Sequence, residues 1–415
     1  MSELSFRLPE FQQMLSTLPP VPASGLATDA TFWKAVQGLY RRSQRMVNLE
    51  NGFWGVMPEP VRLMHQYWSD RINEENTLWV RECWADAQEE VRATVAAALG
   101  CGVDEIVLTR GATEAMLALI SGYRLLQPGD AVLYSNLDYP AMRHAMAWLR
   151  ERRGVEPLCL QIPEPATRES LLQAYQDMLR RHPRIRLVLL THLNHVTGLV
   201  TPVREVAAMA REVGAEVMVD AAHSWGQMDF RVTDLDVPFA GFNLHKWIAA
   251  PIGCGCLYIR RDRLAAIDRY LGDADFPESD IRSRVHPGTV SFAAWLSLPA
   301  ALELHGRISA AAKQARVHHL RNRWVAAARA LPGIEVLTPD DPGLVAGITS
   351  FRLEGRTSRE DNDALVATLR DRHGIYTMRR PGAAGGDVVR VTPGVFTRED
   401  EVDRLVEALP QLLQG

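Results

Sequence analysis

From about residue 105 the chain alternates short, nearly unbroken apolar runs with segments of helical pattern, and this alternation limits its fold more than any other feature. The runs cover 105–109, 131–135, 186–192, 216–220, 239–243 and 256–259, and helix candidates over 113–126, 140–152, 168–181 and 202–213 lie between them. Strands that alternate with helices build an α/β sheet. A strand wetted on one face alternates polar with apolar residues, whereas Leu187-Val-Leu-Leu190 and Val217-Met-Val219 do not, which predicts a mainly parallel sheet covered by helices on both faces. Ligands of such sheets bind at the carboxyl ends of the strands.

After about residue 295 the texture changes. A long helical stretch (299–331) is followed by strand candidates near 334–339 and 347–353, a helix over 358–372, a strand near 388–393 and a last helix, with Thr397 as its expected cap. The predicted organisation is an N-terminal arm (1–59) that contributes to the active site and to the small domain, a large domain (60–295) and a small α+β domain (296–415). The 415 residues carry 46 Lys+Arg against 50 Asp+Glu, a formal charge of −4 with the signs interspersed, which argues against nucleic acid or an anionic membrane as partner. No run approaches the 18 or so uncharged apolar residues of a membrane span, and the N-terminal stretch has no signal-peptide core. Five scattered cysteines fit a reducing compartment, so a cytoplasmic location is expected. Cys254 and Cys256 are spaced too tightly for a usual zinc site, and no metal is expected.

Lys246, in Asn243-Leu-His-Lys246, follows a strand and sits among Phe242, Leu244 and Trp247. Partial burial lowers a lysine pKa and frees the amine to attack a carbonyl, although a lysine beside aromatics also reads as a snorkelling surface residue. Asp220 closes a strand and precedes Ala221-Ala-His223. A carboxylate there can keep a cofactor's ring nitrogen protonated, and it also reads as a helix N-cap. Thr109-Arg-Gly-Ala-Thr113 lies between a strand and a helix, so the amides of Ala112 and Thr113 and the Thr113 hydroxyl are candidate phosphate ligands, with Asn243 and His245 as further donors. His192 and His195 raise the rival reading of a metal hydrolase.

Taken together with Tyr139 in Asn136-Leu-Asp-Tyr139 and the polar pair Asn194-His195, these stretches resemble the class V branch of fold-type I pyridoxal-phosphate enzymes, the group of cysteine desulfurases, kynureninases and isopenicillin N epimerase. The resemblance runs from Asn51-Gly-Phe-Trp-Gly55 through the C-terminal domain. It implies a large three-layer αβα domain with a mainly parallel sheet and a small C-terminal domain. It implies pyridoxal 5'-phosphate as cofactor, with Lys246 forming the internal aldimine and Asp220 partnering the pyridine nitrogen. Ala112, Thr113, Asn243 and His245 match phosphate-binding positions, and Tyr139 matches the ring that stacks on the cofactor. His223 joins the catalytic and cofactor-binding set. Thr289 matches a threonine supplied by the other subunit of a homodimer. Arg390 matches the arginine that clamps a substrate carboxylate, with Asn51, Arg379 and Arg380 as further substrate contacts. His195 departs from the usual Ser or Asn, so it is expected either to donate differently or to titrate near neutrality. The segment 376–388 contains no cysteine, which disfavours a desulfurase. The implied function is proton removal at Cα of an amino acid, leading to amino transfer or epimerisation, with a β-eliminating C–S or C–X lyase as the alternative. A cofactor-sensing transcription regulator is disfavoured because no basic recognition helix precedes the core.

Overall fold

The structure, a computed structural model, describes residues 8–414; the first seven residues of the N-terminal stretch and residue 415 lie outside the described residues. Its centre is a seven-stranded sheet in the order Ile106–Thr109, Gly255–Ile259, Phe239–Asn243, Glu216–Asp220, Ile185–Thr191, Ala131–Ser135 and Glu156–Leu160. Only Gly255–Ile259 runs against its neighbours. The register sets Thr191 beside Asp220 and Asp220 beside Gly241, and it sets Asn243 beside Gly255 and Gly255 beside Thr109.

The unbroken apolar runs have a simple origin. Leu187 and Leu189 enter one core with Met218, Phe239 and the helices Ala112–Gly122 and Pro140–Arg153. Val188 and Leu190 enter the opposite core with Val217, Val219 and the helices Arg168–Arg181 and Val203–Glu212. Successive strand residues point to opposite faces, so a sheet with a core on each side needs apolar residues at both parities. The three layers follow.

A second, antiparallel sheet orders Met378–Arg380, Val388–Val391, Thr349–Leu353 and Ile334–Val336 against the helices Ala310–Arg329, Arg359–His373 and Glu399–Leu412. The N-terminal segment joins both bodies. Phe11, Phe32 and Trp33 pack into a core of the large sheet, while Val47 and Leu49 enter the core of the small one, where Val47–Asn48 pairs in parallel with Ile375–Tyr376.

Four elements depart from the sequence expectation. The helix Glu59–Leu99 spans 41 residues, but its period is broken at Asn76 (φ 47°) and its charged content is high, so no clean 3.6-residue repeat marks it. The strand Glu156–Leu160 has an exposed edge and contains Pro157, which suits an edge position and weakens the strand signal. The stretch 299–331 divides at Ser309 (φ 74°), whose hydroxyl accepts the Ala312 N–H at 3.1 Å and caps the second helix. Thr397 does not cap the last helix: its hydroxyl accepts the Gly394 N–H, and Glu401 accepts the Arg398 N–H instead. Among the described residues no helix is long and apolar enough to cross a membrane.

The loop after Ile185–Thr191 connects the two bodies. Ser350 donates its N–H to the Thr197 carbonyl at 3.2 Å and its hydroxyl to the Val196 carbonyl at 2.5 Å. Gly198 sits at φ +86°, and a Cβ there would lie 1.9 Å from the Ile348 carbonyl oxygen. Gly198→Ala therefore faces both backbone strain and a backbone collision. It is expected to cost about 2–4 kcal/mol and to lower the thermal midpoint by several degrees, read by calorimetry; an unchanged midpoint refutes this account of the junction.

Candidate active site

The strand ends Thr109, Ser135, Thr191, Asp220 and Asn243 and the start of Gly255–Ile259 share one edge of the large sheet, and a cleft of about 280 Å³ opens there. Its walls include Ala112, Thr113, Tyr139, His195, Asp220, His223, Asn243, His245, Lys246, Arg380 and Arg390. Segments from 52 to 390 thus meet in one place.

Lys246 leaves the strand Phe239–Asn243 on a short loop held by the Leu244 N–H to the Cys254 carbonyl and the Ala250 N–H to the Leu244 carbonyl. The arm backs this loop: Gly55 donates to the His245 carbonyl at 2.9 Å, and a Cβ at Gly55 would lie 1.9 Å from the Lys246 carbonyl oxygen. Lys246 Nζ is 2.9 Å from His223 Nε2. Burial lowers the lysine pKa to about 8; the Asp220 carboxylate opposes the shift, and Arg390 and Arg380 reinforce it.

Asp220 is buried, which raises its pKa, while the Ala222 N–H (3.0 Å) and Lys246 favour its charged form. His223 is held well below the usual histidine range by burial and by Lys246, and its Nδ1 accepts the Trp247 indole N–H at 3.5 Å. His195 stacks parallel to His223 at 6.4 Å and meets the Tyr139 ring edge-on at 5.5 Å. Burial and the Arg390 charge lower the His195 pKa to about 3. The expectation of titration near neutrality is therefore corrected: the ring stays neutral across the physiological range.

The turn before Ala112–Gly122 is tightly packed. Cβ atoms placed at Gly111 and Gly255 would lie 2.9 Å from Asn243 Oδ1 and 2.4 Å from Gly111 Cα, respectively. Asn243 Oδ1 accepts the Ala112 N–H at 2.7 Å, so this side chain braces the turn as well as facing the cleft. His245 Nδ1 lies 2.9 Å from the Cys254 carbonyl, which accepts its proton and leaves Nε2 of the neutral ring as an acceptor. An anion at Nε2 would require the protonated ring, so His245 is not a ready donor there.

Arg390 is buried on the strand Val388–Val391. Its Nε donates to Glu50 Oε2 at 3.1 Å, its Nη2 donates to Glu50 Oε1, and its Nη1 donates to the His195 carbonyl at 2.7 Å. A guanidinium has five N–H groups, so one remains on each terminal nitrogen. Arg380 also reaches Glu50 Oε1, at 2.9 Å.

Three predicted residues lie off this wall. Arg379 is turned between Asp363 and Asp387, with contacts at 2.8 and 2.5 Å, because adjacent residues of the strand Met378–Arg380 face opposite sides; its substrate role is corrected. Asn51 donates to the Thr392 carbonyl at 2.9 Å, which tethers the arm, and it does not line the cleft. Thr289 is exposed in a separate depression beside Trp84, Asp273 and Trp295. His192 is buried edge-on against Phe230, outside the cleft, and among the described residues the only group of three ligand-bearing side chains close enough to share a metal is Asp273, Asp275 and His286, also outside it. Neither His192 nor His195, on which the metal-hydrolase reading rests, belongs to that group.

Sequence reasoning missed Glu50 and Asp138. Buried Asp138 accepts from the Thr191 hydroxyl (2.6 Å), the Thr191 N–H (3.1 Å) and the Ser135 N–H (2.6 Å), and so anchors the Tyr139 loop to the sheet edge. Its position directly before Tyr139, after a strand, was the available signal. Glu50 had none, since its partners lie more than 300 residues away.

The family model described as aminotransferase class-V matches residues 64–405. Isopenicillin N epimerase of Streptomyces clavuligerus is 27% identical over 402 residues, which cover 92% of this chain and 98% of that protein. A cysteine desulfurase of Pectobacterium carotovorum is 30% identical over 349 residues, covering 79% and 82%. The fold matches the solved structure of a C-DES variant with glycine covalently linked to its PLP cofactor, at a TM-score of 0.76, 22% identity and coverage of 88% and 96%. The chain belongs to the class V aminotransferase family.

Proposed function

We propose that the protein is a pyridoxal 5'-phosphate enzyme that removes the Cα proton of an α-amino acid, of the aminotransferase or epimerase type. The observation that carries this reading is the half-buried Lys246 amine, its pKa lowered, in one cleft with the buried Asp220 carboxylate and the Arg390 guanidinium. The residues fit the cofactor: a lysine of lowered pKa for its aldehyde, a buried carboxylate for its ring nitrogen, a glycine turn at a helix start for its phosphate, and the exposed Tyr139 ring to cover it. In this reading Lys246 would hold the aldehyde, Asp220 the ring nitrogen, and Ala112 and Thr113 the phosphate. A second subunit would bring Thr289 to the cleft, making a homodimer with shared sites, and the chain divides functionally into an arm (1–59), a cofactor domain (60–295) and a small domain (296–415).

The cofactor, when bound, supplies an electron-withdrawing ring for the pair left at Cα. The protein's own part is binding and proton handling. Arg390 presents the N–H left on each terminal nitrogen to the substrate carboxylate, a bidentate contact. The Trp247 indole is only a donor, so His223 Nδ1 accepts and Nε2 carries the ring proton toward Lys246 Nζ. A nitrogen receiving that bond is a free amine, the form that takes a proton from Cα. No cysteine lines the cleft, and Cys254 and Cys256 are buried, which speaks against sulfur transfer to a protein thiol.

Reduction with borohydride after loading is expected to fix the cofactor to Lys246, and Lys246→Ala should abolish the adduct and turnover; an adduct elsewhere by peptide mass analysis overturns the reading. A second test uses pH. The free amine of Lys246 prevails above about pH 8 instead of above the ordinary 10.5, so the rate of cofactor attachment to the apoprotein should climb with pH and level off near 8. A rate still climbing at about pH 10, the range of an unperturbed lysine, would contradict the burial argument. Incubation with L- and D-amino acids identifies the outcome: keto-acid-dependent turnover marks amino transfer, and solvent exchange at Cα with loss of chirality marks epimerisation. Ammonia with a keto acid marks the eliminating alternative and rejects both.

A further inference from the structure

The anion-binding end of the cleft combines two arginines with one carboxylate from a distant part of the chain. Glu50 is buried, lies on the arm behind the cleft wall, and bonds both Arg380 and Arg390. Its placement is firmly set. The Glu50 N–H donates to Asn48 Oδ1 at 2.9 Å, Asn51 is tied to the Thr392 carbonyl, and a Cβ at Gly52 would lie 2.9 Å from Arg390 Nη2, so the arm backbone lies directly against the guanidinium. Arg380 is only partly satisfied: its Nη2 reaches Glu50, while its Nε is buried with no acceptor among the described residues.

We propose that Glu50 is a specificity-determining residue. Its single negative charge, shared by Arg380 and Arg390, leaves this end of the cleft with one net positive charge, which matches an amino acid whose only carboxylate is the one on Cα and disfavours a second acid on its side chain. The inference rests on the reading of Arg390 as the carboxylate clamp. Two bare guanidiniums would attract a dianion, whereas a pair already neutralised in part gains little from the second charge. Side-on contact with Glu50 also fixes the orientation of the Arg390 guanidinium.

The test counts charge in the holoenzyme, with propionate and succinate as probes titrated by calorimetry. Glu50→Gln leaves two uncompensated arginines and is expected to raise the succinate-to-propionate affinity ratio about tenfold. Arg380→Gln leaves none in excess and is expected to weaken propionate at least about fivefold. The double variant restores one net charge, and its ratio should return to within about threefold of the parent. An unchanged ratio in Glu50→Gln, or a double variant that keeps the raised ratio, overturns the proposal. If Glu50→Gln fails to fold, Arg380→Gln decides alone, since undiminished propionate binding contradicts the charge count. Neither substitution touches Lys246, so borohydride fixation of the cofactor in these variants separates a failure of this inference from a failure of the proposed function.

Discussion

A mainly parallel sheet covered on both faces has no room for side-chain chemistry along its length. Every residue of Phe239–Asn243 and Gly255–Ile259 is buried, and the interior parts of the other central strands are as apolar. Polar groups are tolerated only where the strands end, since an unpaired polar group inside either core would cost about 1–3 kcal/mol. Thr109, Thr191, Asp220 and Asn243 fall on that one edge because the register aligns them. The cleft is therefore a consequence of the sheet's burial, and its residues inherit strand rigidity.

Burial also sets the electrostatics of the edge. The same withdrawal from water that lowers Lys246 toward neutrality keeps His195 and His223 uncharged and raises Asp220. Two guanidiniums, Arg380 and Arg390, and two carboxylates, Glu50 and Asp220, then share a small volume. Removing one partner of a buried pair leaves an uncompensated charge worth about 3–5 kcal/mol, so Glu50 and Arg390 are bound to each other's presence. That pair also joins the arm, the small domain and, through the His195 carbonyl, the large domain.

Much of this was legible in the residues themselves. The runs 216–220 and 239–243 and the helix 168–181 coincide with the observed elements, because a doubly buried strand and a well-capped helix are both local signals. Lys246, Asp220, His223 and the 109–113 turn stand at or just after strand ends, but each alone also fitted an ordinary structural role, and it was their combined resemblance to class V enzymes that singled them out. The helix Glu59–Leu99 stayed hidden because its break at Asn76 divides the period, and the edge strand Glu156–Leu160 because only one of its five residues is buried. Arg379 and Arg380 were indistinguishable as neighbours in sequence, yet strand alternation sends one to Asp363 and Asp387 and the other into the cleft.

The order of apolar and polar residues determined the class of fold and the sheet edge where ligands bind, since both depend on local pattern, while the candidate lysine was singled out by the resemblance of its surroundings to a known family. Only the tertiary structure decided which groups face one another: that Glu50 is shared by Arg390 and Arg380, that burial holds His195 below its usual range, and that Asn51 bonds the Thr392 carbonyl. Those outcomes depend on desolvation and on pairings across hundreds of residues, and neither quantity exists until the chain has closed around them.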